Sequence, residues 1–180
     1  MSETIQFHYD VDGENFTSAG EASVQIKQKL RQLGFTPDII RRGSIHYTVP
    51  GDDFTRAGEA SSDVKHKLKQ LGYDPDAVRR VAIAMYEGEI NMVIHAGGGV
   101  ADVFVDPESI KIILEDHGPG ISDISLAMQE GFSTATDTVR SLGFGAGMGL
   151  PNMKRYTDSM EIDSELGKGT KITMVVNVPI

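Results

Sequence analysis

The apolar and polar positions along this 180-residue chain predict one long helix that is apolar on almost every side. Asp74 and Pro75 supply a helix start, and the segment from Val81 to Ile94 is mostly apolar. The helix is predicted to run to about residue 96, where the glycine run beginning at Gly97 stops it. A helix of this composition is largely buried, so its few polar side chains need partners.

The rest of the pattern predicts an α+β domain. Its expected elements are strands at 100–106 and 109–116, a short helix at 121–129, an aperiodic segment at 130–148, a helix at about 149–157, and strands near 159–164 and 170–178. A long aperiodic segment inside a compact domain is usually functional or disordered. The order predicts a two-layer sandwich of a mixed, mostly antiparallel sheet with helices on one face.

A duplication precedes this pattern. Residues 7–42 align without gaps on residues 45–80, and the sequence Gly-Glu-Ala-Ser occurs at 20–23 and again at 58–61. Each copy is predicted to form a short strand followed by a helix, which a glycine ends. Two copies are too few for a solenoid.

We interpret residues 1–43 as an extra strand–helix copy added to a domain of residues 45–180. Gly43-Ser44 also resembles a cloning junction, so gene duplication and engineering both remain open. Two equivalent strand–helix units compete for one position on the domain. The unit left over is available to pair with a second chain, so a domain-swapped homodimer is expected.

Composition narrows the class of protein. The net charge of −9 is unfavourable for nucleic-acid binding, because no long basic stripe interrupts it. No segment has the roughly 20 apolar residues of a membrane span, and no signal peptide is visible at the N-terminus. The chain has no cysteine, which excludes disulfides and thiolate chemistry and fits a cytoplasmic location.

Three polar residues share one face of the long helix. Glu87, Asn91 and His95 recur at four-residue spacing. A solvated polar stripe is one interpretation, but the apolar surroundings favour a site in which a metal ion, water and phosphate oxygens supply the partners. A carboxylate can accept a proton from a hydroxyl, and an amide oxygen is a suitable ligand for Mg²⁺.

Two glycine-containing turns complete the pattern. Asp116 follows a strand and begins the sequence Asp-His-Gly-Pro-Gly. One interpretation is a plain turn, since glycine and proline favour turns. The other is that the Asp116 carboxylate accepts a hydrogen bond from an exocyclic amine such as that of adenine. Every second residue from Gly143 to Gly149 is glycine, and a helix is predicted to follow. This run is either a flexible linker or a phosphate-binding loop. Neither this run nor Gly167-Lys168-Gly169-Thr170 fits a P-loop or a dinucleotide fingerprint.

In this order the four elements resemble the GHKL (Bergerat-fold) ATPase superfamily over residues 45–180: an E-x-x-x-N helix, a D-x-G-x-G turn, a glycine-rich lid and a G-x-G-T turn. The chain is most similar to the anti-sigma-factor, serine-protein-kinase branch. Gly88 and Met92 depart from the small alanines that are more usual in that helix.

The resemblance implies a role for each matched residue. Glu87 is implied to be the general base and Asn91 the Mg²⁺ ligand. The residues implied to contact the nucleotide are Asp116, Gly118, Gly120 and Thr170 at the base, and Gly143, Gly145, Gly147, Gly149 and Leu150 at the phosphates. Arg140 is a further candidate phosphate contact, by charge and place in the lid.

The implied function is Mg-ATP-dependent phosphorylation of a serine or threonine on a partner protein such as an anti-anti-sigma-like substrate, and/or binding of a sigma factor as an anti-sigma factor. Two alternatives remain open: an ATPase in which Glu87 activates water, and a switch that binds ATP or ADP without turnover.

Overall fold

The computed structural model describes residues 43–51, 54–141 and 143–179, and these belong to one compact unit. The extra copy predicted at 1–43 lies outside the described residues except for Gly43, so its strand, its helix and its exchange stay predictions. None of the described helices is long and apolar enough to cross a membrane.

Five strands and five α-helices make up the described chain. The strands are β1 (Gly43–Pro50), β2 (Gly98–Val105), β3 (Ser109–Asp116), β4 (Ser159–Glu165) and β5 (Gly169–Asn177). The helices are α1 (Glu59–Gln70), α2 (Pro75–Asn91), α3 (Ile124–Ala127), α4 (Asp137–Ser141) and α5 (Gly149–Arg155). A π-helical turn, Met92–Ala96, continues directly from α2.

The strands form one sheet in the order β1-β2-β3-β5-β4. Burial alternates along β3 and β5, so one face of the sheet carries the apolar side chains and the other the more exposed ones. The predicted α+β fold class is confirmed. Within the described residues each of the four pairings is antiparallel, which makes this sheet antiparallel rather than mixed.

Helix α2 begins where the sequence predicts, and the π-helical turn that continues it ends at the predicted position. The side chain of Asp74 accepts hydrogen bonds from the N–H groups of Asp76 (2.9 Å) and Ala77 (3.0 Å), with Pro75 in the first turn. Gly97 ends the π-helical turn with a left-handed backbone, φ 69°. The sequence did not predict the π-helical turn itself.

The core lies between α1, α2, α5 and the sheet. Its fully buried side chains include Val64, Leu68, Val78, Val81, Met85, Val103, Ile110, Ile112, Met153, Met174 and Val176. Arg80 fastens α2 to the far end of the sheet, because its guanidinium contacts the Asp158 carboxylate at 2.8 Å. The N–H of Asn177, which donates to the same oxygen at 2.7 Å, and Arg80 together hold the pKa of Asp158 below its usual range.

A buried carboxylate on α2 caps α1. Glu89 is 1% exposed, and it accepts hydrogen bonds from the backbone N–H groups of Gly58 (3.3 Å), Ala60 (3.1 Å) and Ser61 (2.7 Å). These are the first N–H groups of α1, which have no partner inside their own helix. A negative charge there also suits the helix dipole. Glu89 therefore ties the second copy of the repeat to the helix that carries the candidate site.

Candidate functional site

A cavity of about 510 Å³ opens beside α2 and the π-helical turn. Its other walls are the ends of β3 and β5, the segment around α3, and the glycine-rich run before α5. A volume of this size is in the range for a small-molecule ligand. Apolar side chains form one part of the wall, among them Leu114, Ile121, Leu126 and Ile172.

Glu87, Asn91 and His95 all line this cavity, as their spacing predicts. The π-helical turn begins directly after Asn91, so His95 reaches the cavity from a wider turn than an α-helix provides. Desolvation by neighbouring groups lowers the pKa of the His95 imidazole.

The Glu87 carboxylate is held by a residue that the sequence did not single out. Asn152 on α5 donates from Nδ2 to Oε1 of Glu87 at 2.7 Å. Among the described residues the second oxygen, Oε2, has no hydrogen-bond partner. Glu87 is thus fixed at one oxygen and available at the other.

Asn91 is covered closely by the start of α5. A Cβ atom on Gly149 would stand 2.9 Å from Oδ1 of Asn91, so glycine is the residue that lets α5 approach this amide. The Asn91 amide is half-buried and makes no hydrogen bond among the described residues. An unsatisfied amide in a cavity wall fits a ligand that supplies a partner.

Gly88 has a packing role. A Cβ atom at this position would collide with the Leu114 side chain, so the helix lies closer to β3 than alanine would permit. This close approach explains the departure from alanine that the sequence shows between Glu87 and Asn91.

Asp116 ends β3 at the opposite side of the cavity. Its Oδ1 accepts hydrogen bonds from the N–H groups of Gly118 (2.9 Å) and Thr170 (3.2 Å), which fix the carboxylate plane. Oδ2 has no hydrogen-bond partner among the described residues. The Thr170 hydroxyl lies 2.8 Å from the hydroxyl of Ser164, which also accepts from the N–H of Ile121.

The glycine run borders the cavity for its whole length, from Gly143 through Leu150. At Gly147 the backbone has φ 72°, and a Cβ atom would collide with the backbone of Gly131, whose N–H donates to the Gly147 carbonyl at 2.9 Å. The lid is therefore anchored at this glycine by a neighbouring loop.

A second anchor joins the lid to the segment before α1. The rings of Phe144 and Phe54 stack with their centroids 6.3 Å apart and an interplanar angle of 27°. The sequence offered no signal for this pair, because aromatic contacts at such separations are set by tertiary structure.

Two of the predicted nucleotide contacts do not line the main cavity. Gly118 lies behind Asp116, where a Cβ atom would collide with Ala96. Arg140 lies on α4, donates to the Ser133 carbonyl at 3.1 Å, and borders a smaller neighbouring cavity of about 340 Å³. Gly120, Thr170 and the glycines of the lid do line the main cavity.

No cluster of three or more His, Cys, Asp or Glu side chains that could hold a metal ion occurs in the described part of the chain. A divalent ion bound near Asn91 would therefore need phosphate oxygens and water to complete its ligands. The donor set, a single amide oxygen beside an open cavity, fits an ion that arrives with a nucleotide.

Comparison with known proteins identifies the class. The family model for the histidine kinase-, DNA gyrase B- and HSP90-like ATPases matches residues 76–180, which is more than half of the chain. The chain therefore belongs to this ATPase family, and membership implies that it binds ATP.

Particular relatives narrow the class further. The chain is 38% identical over 101 residues to the serine/threonine-protein kinase RsbT of Bacillus subtilis, a match that covers 53% of this chain and 68% of that protein. It is 34% identical over 99 residues to the anti-sigma F factor of Clostridium acetobutylicum, covering 52% of this chain and 66% of the relative.

A solved structure of the RsbU and RsbW domains of a Mycobacterium tuberculosis protein superposes with a TM-score of 0.52 at 15% identity. The superposition covers 76% of this chain and 32% of that one. This likeness supports the fold.

Proposed function

We propose that the chain transfers the γ-phosphoryl group of Mg-ATP to a serine or threonine hydroxyl of a partner protein and so acts as an anti-sigma-type regulator. One observation carries the proposal: Glu87, with one oxygen held and the other available, stands in the wall of a nucleotide-sized cavity. The functions named for the two relatives above, a protein kinase and an anti-sigma factor, favour the same reaction.

The base of the nucleotide occupies the end of the cavity near Asp116. The oriented carboxylate accepts a hydrogen bond from the exocyclic amine of adenine, and the neighbouring side chains of Leu114 and Ile172 provide an apolar wall for the ring. Gly120 and Thr170 border the same end, while Gly118 acts indirectly by holding Oδ1 of Asp116.

The phosphates extend toward α2 and the lid. Backbone N–H groups of the glycine run from Gly143 to Leu150 contact the phosphate oxygens. Asn91 would ligate the Mg²⁺ ion that accompanies them, and the ion would supply positive charge to neutralise the phosphates. Arg140 borders the adjoining smaller cavity, and it would contact the phosphates by exchanging its hydrogen bond to the Ser133 carbonyl for one to a phosphate oxygen.

The chemical step moves one proton and one phosphoryl group. The attacking hydroxyl gives its proton to Glu87 as its oxygen bonds to the γ-phosphorus, and the bond from that phosphorus to the β–γ bridging oxygen breaks to release ADP. With water in place of the hydroxyl the same residues hydrolyse ATP. If neither a hydroxyl nor water attacks the γ-phosphorus, the site acts as a switch that binds nucleotide without turnover.

The test uses γ-labelled ATP and a panel of anti-anti-sigma-type proteins, the substrate class that the resemblance implies. Label on a serine or threonine of one panel member supports the kinase. Label released only as inorganic phosphate supports the ATPase, and tight binding without either supports the switch. A homodimer and a cytoplasmic location stay predictions.

Mg-ATP is expected to raise the melting temperature of the full chain. At about 100 times the dissociation constant a ligand adds about 2.7 kcal/mol to the stability of the folded state. For a chain of 180 residues this corresponds to a rise of roughly 5–10 °C.

Differential scanning fluorimetry measures the shift, with Asp116→Ala as the binding-deficient variant and Mg-GTP as the matched nucleotide. A rise that is the same with Asp116→Ala as with the unchanged chain contradicts the assignment of the base to Asp116.

We further propose that the nucleotide-binding domain is complete without the extra copy. Deleting residues 1–42, so that the chain begins where β1 begins, is expected to leave the affinity for Mg-ATP within about threefold, since every residue that lines the described cavity lies beyond position 85. Titration calorimetry on both chains measures this. An unfolded or non-binding product contradicts it.

A further inference from the structure

Helix α5 contacts α2 at both polar residues of the candidate site. Gly149 packs over the Asn91 amide, and one turn later Asn152 donates to Glu87. The two contacts are in register, because residues three apart on α5 meet residues four apart on α2. The helix that follows the lid is thus aligned with the residues assigned to chemistry.

We propose that Asn152 is a positioning residue for the general base. Its amide holds Oε1 of Glu87 and turns Oε2 toward the cavity, where it accepts the proton of the attacking hydroxyl. This inference rests on the function proposed above, in which Glu87 is the base.

The contact is more specific than packing between these helices requires. Other α5 side chains that face inward are apolar: the Met153 sulfur is a near neighbour of Gly88, and Leu150 is buried. A half-buried amide at 2.7 Å from a carboxylate is a charge-assisted hydrogen bond, which is shorter and stronger than a neutral one.

The magnitude follows from geometry. Glu87 has three side-chain torsions, and without a partner its carboxylate samples several rotamers. A displacement of about 1 Å at a reacting group can lower a rate about 100-fold. Binding of Mg-ATP depends mainly on other residues of the cavity and should change little.

The experiment replaces Asn152 by Leu, which has similar volume and no donor. We expect kcat for phosphoryl transfer or hydrolysis to fall about 10- to 100-fold, while KM for ATP stays within about threefold. Asn152→Gln, which keeps the amide, should recover part of the rate. Lys154→Ala, on the exposed face of the same helix, is the matched control and should retain the full rate.

A structural contact alone would lower the melting temperature without separating kcat from KM. Equal kcat for Asn152→Leu and the unchanged chain overturns the inference and leaves the proposed function intact. A chain that shows no turnover in any form overturns the proposed function instead.

A second measurement tests the contact without requiring turnover. In proton–nitrogen spectra at constant pH, the Nδ2 proton that donates to Glu87 should change its chemical shift when Glu87 is replaced by Ala, while Glu161→Ala leaves it unchanged. Side-chain amide signals of Asn152 that are the same in the unchanged chain and in Glu87→Ala overturn the inference.

Discussion

Replacing Glu87 by Gln is expected to lower the rate of γ-phosphoryl transfer by about 100- to 10,000-fold, the range over which a positioned general base contributes. Gln keeps the shape of the side chain and an oxygen that accepts the hydrogen bond from Asn152, but it cannot accept a proton. The affinity for Mg-ATP should therefore remain within a few-fold. Label transfer under single-turnover conditions and equilibrium nucleotide binding measure the two quantities separately.

Glu161→Gln is the matched control, because Glu161 is an exposed carboxylate on β4, away from the cavity. It should leave both quantities unchanged. A Glu87→Gln chain that turns over at the rate of the control removes Glu87 from the role of base and leaves the nucleotide-binding assignment in place.

Replacing Glu89 by Ala is expected to lower the free energy of unfolding by about 3 kcal/mol or more, the largest effect on stability that we expect from a single polar side chain here. The change leaves the N–H groups of Gly58, Ala60 and Ser61 without their acceptor. Hydrogen bonds to a charged group contribute about 1.5–3 kcal/mol each, and a buried donor left unsatisfied costs about 1–3 kcal/mol. Urea unfolding followed by circular dichroism measures the change.

Glu59→Ala provides the comparison, because Glu59 is an exposed carboxylate in the first turn of α1 that pairs with Arg56 on the surface. Its loss should change the stability by roughly 0.5 kcal/mol or less. If Glu89→Ala destabilises the chain no more than Glu59→Ala does, the cap is not a major contribution to the fold.

Much of the fold is predictable because its signals are local. Asp74 and Pro75 start α2, the alternation of apolar residues marks β3 and β5, and Gly97 stops the long helix. Each signal depends on residues within a few positions of one another. The order of the four glycine-containing and acidic motifs also indicates the family, because that order can be read from the sequence without knowing which distant residues are in contact.

The features that escaped prediction depend on distant partners. Glu87 and Glu89 are two positions apart, yet one lines the cavity and the other caps α1, at N–H groups that are 28 to 31 residues away. Asn152 meets Glu87 across a separation of 65 residues. Periodicity alone cannot distinguish such neighbours when the helix is apolar on nearly every side.

The lid shows the same limit. Its glycines predict a loop that approaches a ligand, but its composition predicts neither the short helix α4 nor the stacking of Phe54 on Phe144. Arg140 was a reasonable candidate from charge and sequence position. Arg140 borders the smaller cavity because of the path that the loop takes, and a glycine-rich sequence does not determine that path.

The capping contact of Glu89 couples the start of α1 to the helix that lines the cavity. The backbone N–H groups of Gly58, Ala60 and Ser61 donate to a carboxylate on α2 and not to an acceptor within α1. Amides held in this way exchange with solvent when the contact opens. Their hydrogen-exchange rates therefore report how often α1 separates from α2, without any probe placed in the cavity.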